Sequence, residues 1–251
     1  ALILSGAKGW AASDAKLPAE LHKNIVDKLE GKQLVTIEFK TGSGYENQNN
    51  ISEGSTPVYI EKEDVNSGVK ITIHTSGESF VAQNFSNGLF YGFSSLIVIV
   101  NLGALDVSAM TDMNNMFNGC AKLVSVDLSK FNTSKVTNMN NMFNGCSSLM
   151  TLDMTGFDMS KVSTMTGMFS GCSSLSAIYS TVSNPSTLQA GVFSSVGSNC
   201  TLYVPGGSQT TYKKNKNSAP GWCELGKVQP LDNIVLEDTK PYTIPSTIEC
   251  K

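Results

Sequence analysis

The heptad NNMFNGC occupies residues 114–120 and returns letter for letter at 140–146, while TGMFSGC at 166–172 keeps its Met, Phe, Gly and Cys. The interval is 26 residues each time. Much more than the heptad keeps this register. Met113, Met139 and Met165 share one column, Met116, Met142 and Met168 a second, Phe117, Phe143 and Phe169 a third, and Leu123, Leu149 and Leu175 a fourth. Val126, Leu152 and Ile178 align, as do Leu105, Phe131 and Phe157. LFYGFSSL at 89–96 reads as an earlier row with one extra residue, and VFSSVGSNCTLYVP, up to Pro205, as a later row in which Cys200 arrives two residues late. A unit this short cannot bury its own apolar face and must stack on copies of itself. The period therefore predicts a solenoid of about five coils.

Inside a row, LVSVDLSKF at 123–131 alternates apolar and polar residues, the pattern of a half-buried strand with Val126 and Leu128 inward. VTNMNNMF at 136–143 places Val136, Met139, Met142 and Phe143 at helical offsets and predicts one or two turns of helix or 3₁₀. Ser134 or Thr137 can cap that turn, and Gly145 can end it in the left-handed region. Stacked strands lie ~4.8 Å apart, so each side chain meets its own copy in the next coil. A ladder of identical residues is the simplest sequence that satisfies this.

Residues 1–83 do not repeat. LPAELHKNIVDKL predicts a helix with Pro18 in its first turn, and QLVTIEF, PVYIEK and VKITIHT predict strands. Together they form an α+β cap expected to pack on the first coil. LIVIV at 96–100 is apolar on both faces, which predicts a strand covered on both sides.

The same residues exclude several chemistries. Net charge is −3 and all 18 basic residues are lysine, so no guanidinium is present to fork a phosphate or a guanine edge, and nucleic acid is a poor partner. LIVIV falls far short of the ~20 apolar residues of a membrane-spanning helix. No signal peptide or lipidation motif is visible. The six cysteines form no CxxC, which leaves a zinc knuckle or redox pair without support. Cys120, Cys146 and Cys172 sit beside Met and Phe columns and read as small core residues, while Cys223 and Cys250 could pair in an oxidising setting. His22 and His74 lie outside the repeats and beside no Cys or Asp cluster, GCSSL is not a GxSxG elbow, and the GSG at 42–44 lacks the rest of a phosphate loop. Catalysis is not expected, and no cofactor or metal is implied.

Candidate binding residues lie on the outward side of the strands. Asp127 and Asp153 occupy equivalent positions, with Asn101 in the row before. They read either as a cation site or polar recognition track, or as solvated carboxylates ~5 Å apart and screened by water. Ser125 with Thr151, and Ser129 with Thr155, flank them, and Tyr179 is the aromatic at such a position. Short hydroxyls there could read a peptide or a glycan, or be ordinary strand surface. The concave side is the face that solenoids commonly use.

LMTLDM at 149–154 fits the LxxLxL core of leucine-rich repeats, although Phe131 and Phe157 stand where such repeats usually place Asn or Cys. The full row LVSVDLSKFNTSKVTNMNNMFNGCSSL resembles the BspA-like repeats of bacterial surface proteins over about residues 84–205. That resemblance implies an α/β fold of right-handed leucine-rich-repeat solenoid type, with an N-terminal α+β cap (1–83), the repeats (84–205) and a β-rich C-terminal cap (206–251). It makes CTLYVPGGSQTTYKKNKNSAPGW resemble a closing unit of strand, Gly turn and short Lys-rich helix. It also makes STIEC look like a strand awaiting a further β-rich domain, with Lys251 an artificial boundary. It implies an extracellular or cell-surface location and adhesion to a host or bacterial surface protein. A glycan ligand and a purely structural spacer are the alternatives.

Overall fold

The computed structural model describes residues 15–42, 50–51, 56–85, 88–182, 191–208 and 227–231. In chain order the N-terminal elements are β1 (Ala15–Lys16), α1 (Leu21–Leu29), β2 (Leu34–Thr41), β3 (Val58–Val65), β4 (Gly68–Thr75) and β5 (Phe80–Val81). The repeats contribute β6 (Val98–Val100), a 3₁₀ turn at Leu102–Ala104, β7 (Leu105–Asp106), β8 (Thr151–Met154), β9 (Ala177–Ser180) and β10 (Thr201–Val204), and β11 (Lys227–Pro230) follows. The architecture is mixed α/β, mostly strand, with parallel pairing dominant.

Leu21, Ile25 and Leu29 form the apolar stripe that buries α1, and Glu30 in the left-handed region ends it. Pro18 lies before the helix rather than in its first turn, where its carbonyl accepts the Leu21 N–H at 3.0 Å. The three expected strands form, with β4 parallel to β2 and antiparallel to β3. On its other side β2 pairs in parallel with β6, the first repeat strand, giving the order β3-β4-β2-β6. A second small sheet, β1-β5-β7, makes the same connection. The N-terminal region is thus hydrogen-bonded to the array, and Phe39 seals the joint by meeting Phe90 edge-on at 6.3 Å.

From Phe90 onwards one aromatic column runs through the rows. Phe90, Phe117, Phe143, Phe169 and Phe193 stack at centroid distances of 5.1, 5.2, 6.0 and 5.2 Å, close to the ~4.8 Å strand repeat. Leu152, Ile178 and Leu202 stand opposite one another in a parallel sheet of order β11-β10-β9-β8, and all three are buried. Like residues therefore touch like, as the repeat register predicts. The degraded row takes part too, through Phe193 and β10.

Three local expectations fail. The row at 123–131 buries Leu128 and packs Val126 against the core but forms no strand. Its backbone meets the neighbouring rows at Val124, whose N–H reaches Ile97 O at 3.4 Å and whose carbonyl accepts Met150 N–H at 3.3 Å, both long for such bonds. The register towards the preceding row also changes here. Leu96 to Leu123 takes 27 residues, whereas Leu123 to Leu149 takes 26. The extra residue is absorbed at Asn101, left-handed at φ 56°, and in the 3₁₀ turn after it.

VTNMNNMF is not helical. Met142, Asn144 and Cys146 donate to residues three earlier at 3.1–3.3 Å, while the intervening Met139, Asn141, Phe143 and Gly145 donate to Thr164, Thr166, Met168 and Ser170 of the next row at 2.7–2.9 Å. An α-helix would turn the N–H groups beyond its first turn onto its own carbonyls, which does not allow this alternation between local and inter-row bonds. Left-handed residues enforce the alternation: Asn141 at φ 54° and Gly145 at φ 73°, matched by Asn115 and Gly119 one row earlier. Glycine and asparagine enter that region at least cost, which is why the heptad spells them. At Gly145 the requirement is φ rather than space, since an added Cβ would come no closer than 3.7 Å to Gly119.

The LIVIV segment loses its cover at its last residue: Leu96 is buried and Ile97 and Val98 are half-buried. Ile99 is buried, but Val100 is 38% exposed and stands opposite Glu38 of β2. The expected Lys-rich helix, the STIEC strand, Cys223 and Cys250 lie outside the described residues.

Candidate binding face

Burial alternates along β8, with Thr151 and Asp153 exposed and Leu152 and Met154 buried. Parallel register then carries the outward position from Asp153 to Tyr179, Tyr203 and Gln229. In the strandless row before, Asp127 and Ser129 are exposed and Ser125 half-buried, in phase with Thr151, Asp153 and half-buried Thr155. Seven of the eight expected residues therefore share one side: Ser125, Asp127, Ser129, Thr151, Asp153, Thr155 and Tyr179.

Asn101 does not join them. Its left-handed backbone turns it away, and its Nδ2 donates to Phe39 O at 2.9 Å, tying the first row to β2. Counting back 27 residues rather than 26 puts Val100 below Asp127. The Leu96–Leu123 interval was the signal for this.

Both aspartates already have local work. Asp127 Oδ1 accepts the Ser129 N–H at 3.0 Å, and Asp153 Oδ1 accepts the Thr155 N–H at 2.8 Å and hydroxyl at 2.7 Å. These turns close the ends of their rows. Among the described residues no three His, Cys, Asp or Glu side chains converge to hold a metal. Many other hydroxyls bind backbone. Thr137, Ser163, Ser147, Ser176 and Thr181 donate to Thr111, Thr137, Ala121, Met150 and Thr155 carbonyls at 2.9–3.1 Å, each a residue one row earlier. These five hydroxyls thus clamp one row to the next.

Tyr203 escaped sequence reasoning. Its ring stacks on Tyr179 at 5.0 Å with 15° between the planes. The shortened last row hides the relation, although AIYS and TLYV both carry Tyr third in the strand. Burial, together with the neighbouring Tyr203 and Asp153 charges, pushes the Tyr179 phenol above its ordinary value.

The remaining reactive groups are placed elsewhere. Cys120, Cys146 and Cys172 are buried free thiols, each donating to a phenylalanine carbonyl of the previous row (Phe90, Phe117 and Phe143) at 3.1 Å. Burial pushes Cys120 and Cys172 up to about 12 and Cys200 to about 11, and drives Cys146 further up with help from its neighbouring thiols. Thiols held neutral in this way are poor nucleophiles. His22 stacks on Phe93, its Nδ1 3.2 Å from Leu89 O. His74, buried on β4, has a partner that the sequence did not disclose: its Nε2 lies 2.9 Å from Glu61 Oε2, a diagonal pair across β3 and β4.

Residues 85–197 match the family model described as "Mycoplasma protein of unknown function, DUF285", a span of a little under half the chain that coincides with the repeats. No curated protein and no solved structure matches. Among the described residues no helix is long and apolar enough to cross a membrane.

Proposed function

We propose that this chain is a non-enzymatic binding module of a bacterial surface protein, built as a right-handed leucine-rich-repeat solenoid of BspA-like type, and that it adheres to a host or cell-surface protein through the outward face of the repeats. The observation that carries this is the Asp127–Asp153–Tyr179–Tyr203 column. It runs from Asp127 in the strandless row to Asp153, Tyr179 and Tyr203, which stand at strand spacing on the parallel sheet β8-β9-β10, and solenoids offer partners extended contact surfaces of this kind. The match of residues 85–197 to a family described from Mycoplasma supports a bacterial setting.

The test is capture from host extracellular matrix, comparing wild type with a variant carrying Asp127→Lys and Asp153→Lys. Loss of capture by the variant supports the face, and equal capture removes it and leaves a spacer role. A carbohydrate ligand is the second reading, favoured by the stacked tyrosines. It predicts retention on a glycan array that Tyr203→Ala abolishes.

A further inference from the structure

The face is not level. Asp127 and Asp153 carry short side chains, whereas Tyr179 and Tyr203 stand beside them as two stacked rings. Each tyrosine covers one face of the other. The stack runs from β10 to β9, so the remaining face of Tyr179 turns towards β8, above the shorter Asp153 opposite it. An aromatic wall thus rises from an anionic floor, and the two are one strand spacing, ~4.8 Å, apart. Tyr179 senses that carboxylate, since the Asp153 charge contributes to holding its phenol protonated. Lys130, which follows Ser129, packs its methylenes near Gly103 of the preceding row.

We infer that the step between Asp153 and Tyr179 receives an arginine side chain presented by a partner protein. The inference rests on the binding-face proposal above. A guanidinium is planar and can lie flat on the ring while its N–H groups reach down to the carboxylate, and it sheds water more readily than an ammonium. Lysine supplies the charge but not the flat contact. The site's charge is complementary to such a partner, because the outward positions of these rows hold two carboxylates with Ser and Thr hydroxyls around them.

Fluorescence anisotropy with the full chain tests this, using a labelled peptide of alternating Arg and Ser against its Lys and Ser counterpart at low and physiological salt. The expected result is tighter binding of the arginine peptide. Tyr179→Leu should weaken it roughly two- to thirtyfold, the range for cation–π contact, while Tyr179→Phe retains it. Asp153→Asn should weaken both peptides. Unchanged thermal melts of Tyr179→Leu and Asp153→Asn exclude misfolding as the cause of weaker binding, and equal affinity for the two peptides, no binding by wild type, or indifference to Tyr179→Leu would each overturn the inference. Failure here is separable from failure of the face as a whole. Matrix capture that is lost in the Asp127→Lys, Asp153→Lys variant but unaffected by Tyr179→Leu keeps the face and removes the arginine step.

Discussion

Replacing Phe143 by Ala removes the middle ring of the aromatic column. Phe143 is fully buried and touches a ring on each side, Phe117 at 5.2 Å and Phe169 at 6.0 Å, with interplanar angles of 4° and 9°. Loss of transfer free energy plus the cavity places the cost at about 3–5 kcal/mol. Two aromatic contacts worth about 0.5–1.5 kcal/mol each beyond their area are lost at once, which favours the upper half of that range. The backbone bonds from Phe143 N–H to Met168 O and from Phe117 N–H to Met142 O hold the rows on either side in place, so the site has little freedom to collapse. Urea unfolding followed by far-UV circular dichroism measures the change in midpoint and slope. A loss below about 1.5 kcal/mol for Phe143→Ala would refute the stacked-column reasoning.

Other outcomes follow from the same structure. Gly145→Ala forces an L side chain to φ 73° and should lower stability by about 1–2 kcal/mol in the same assay, whereas Asn141→Gly should be neutral or stabilising. In a Cys223→Ser, Cys250→Ser background the native protein should leave a thiol reagent unreacted at pH 8, and Cys120, Cys146, Cys172 and Cys200 should all react once urea unfolds it. Burial raises these thiols in the folded state, so the stability they confer is complete below about pH 9 and declines as pH rises towards about 12. The urea midpoint should therefore fall through that window, and fall less steeply in Cys146→Ala relative to its own value at pH 8. Amide hydrogen exchange at Ser125–Leu128, which lack a strand ladder, should outpace exchange at Ile178 and Tyr179 of β9, which is paired on both sides.

What the sequence disclosed, and what it hid, divides by the range of the interaction. Columns such as Phe117, Phe143 and Phe169 were legible because stacking makes each residue its own neighbour, so contact is written as repetition. The outward placing of Asp127 and Asp153 followed from simple alternation. The helical offsets of Val136, Met139, Met142 and Phe143 misled, since the same inward stripe is produced by a chain that turns at Asn141 and Gly145 and gives alternate N–H groups to the next row. Asn101 was misplaced because one residue added between Leu96 and Leu105 shifts the outward positions before it, while the columns from Leu105 onwards keep the 26-residue register and disguise the change. Tyr203 was missed for the complementary reason, a row shortened at the far end. The His74–Glu61 pair arises from a diagonal contact between two non-repeating strands, for which no spacing rule exists.

Ring-to-ring nuclear Overhauser contacts in protein labelled only at phenylalanine probe the register itself. The stacked arrangement predicts a chain of strong cross-peaks linking Phe90 to Phe117, Phe117 to Phe143, Phe143 to Phe169 and Phe169 to Phe193. Absence of the Phe117–Phe143 and Phe143–Phe169 contacts in a folded sample would contradict it.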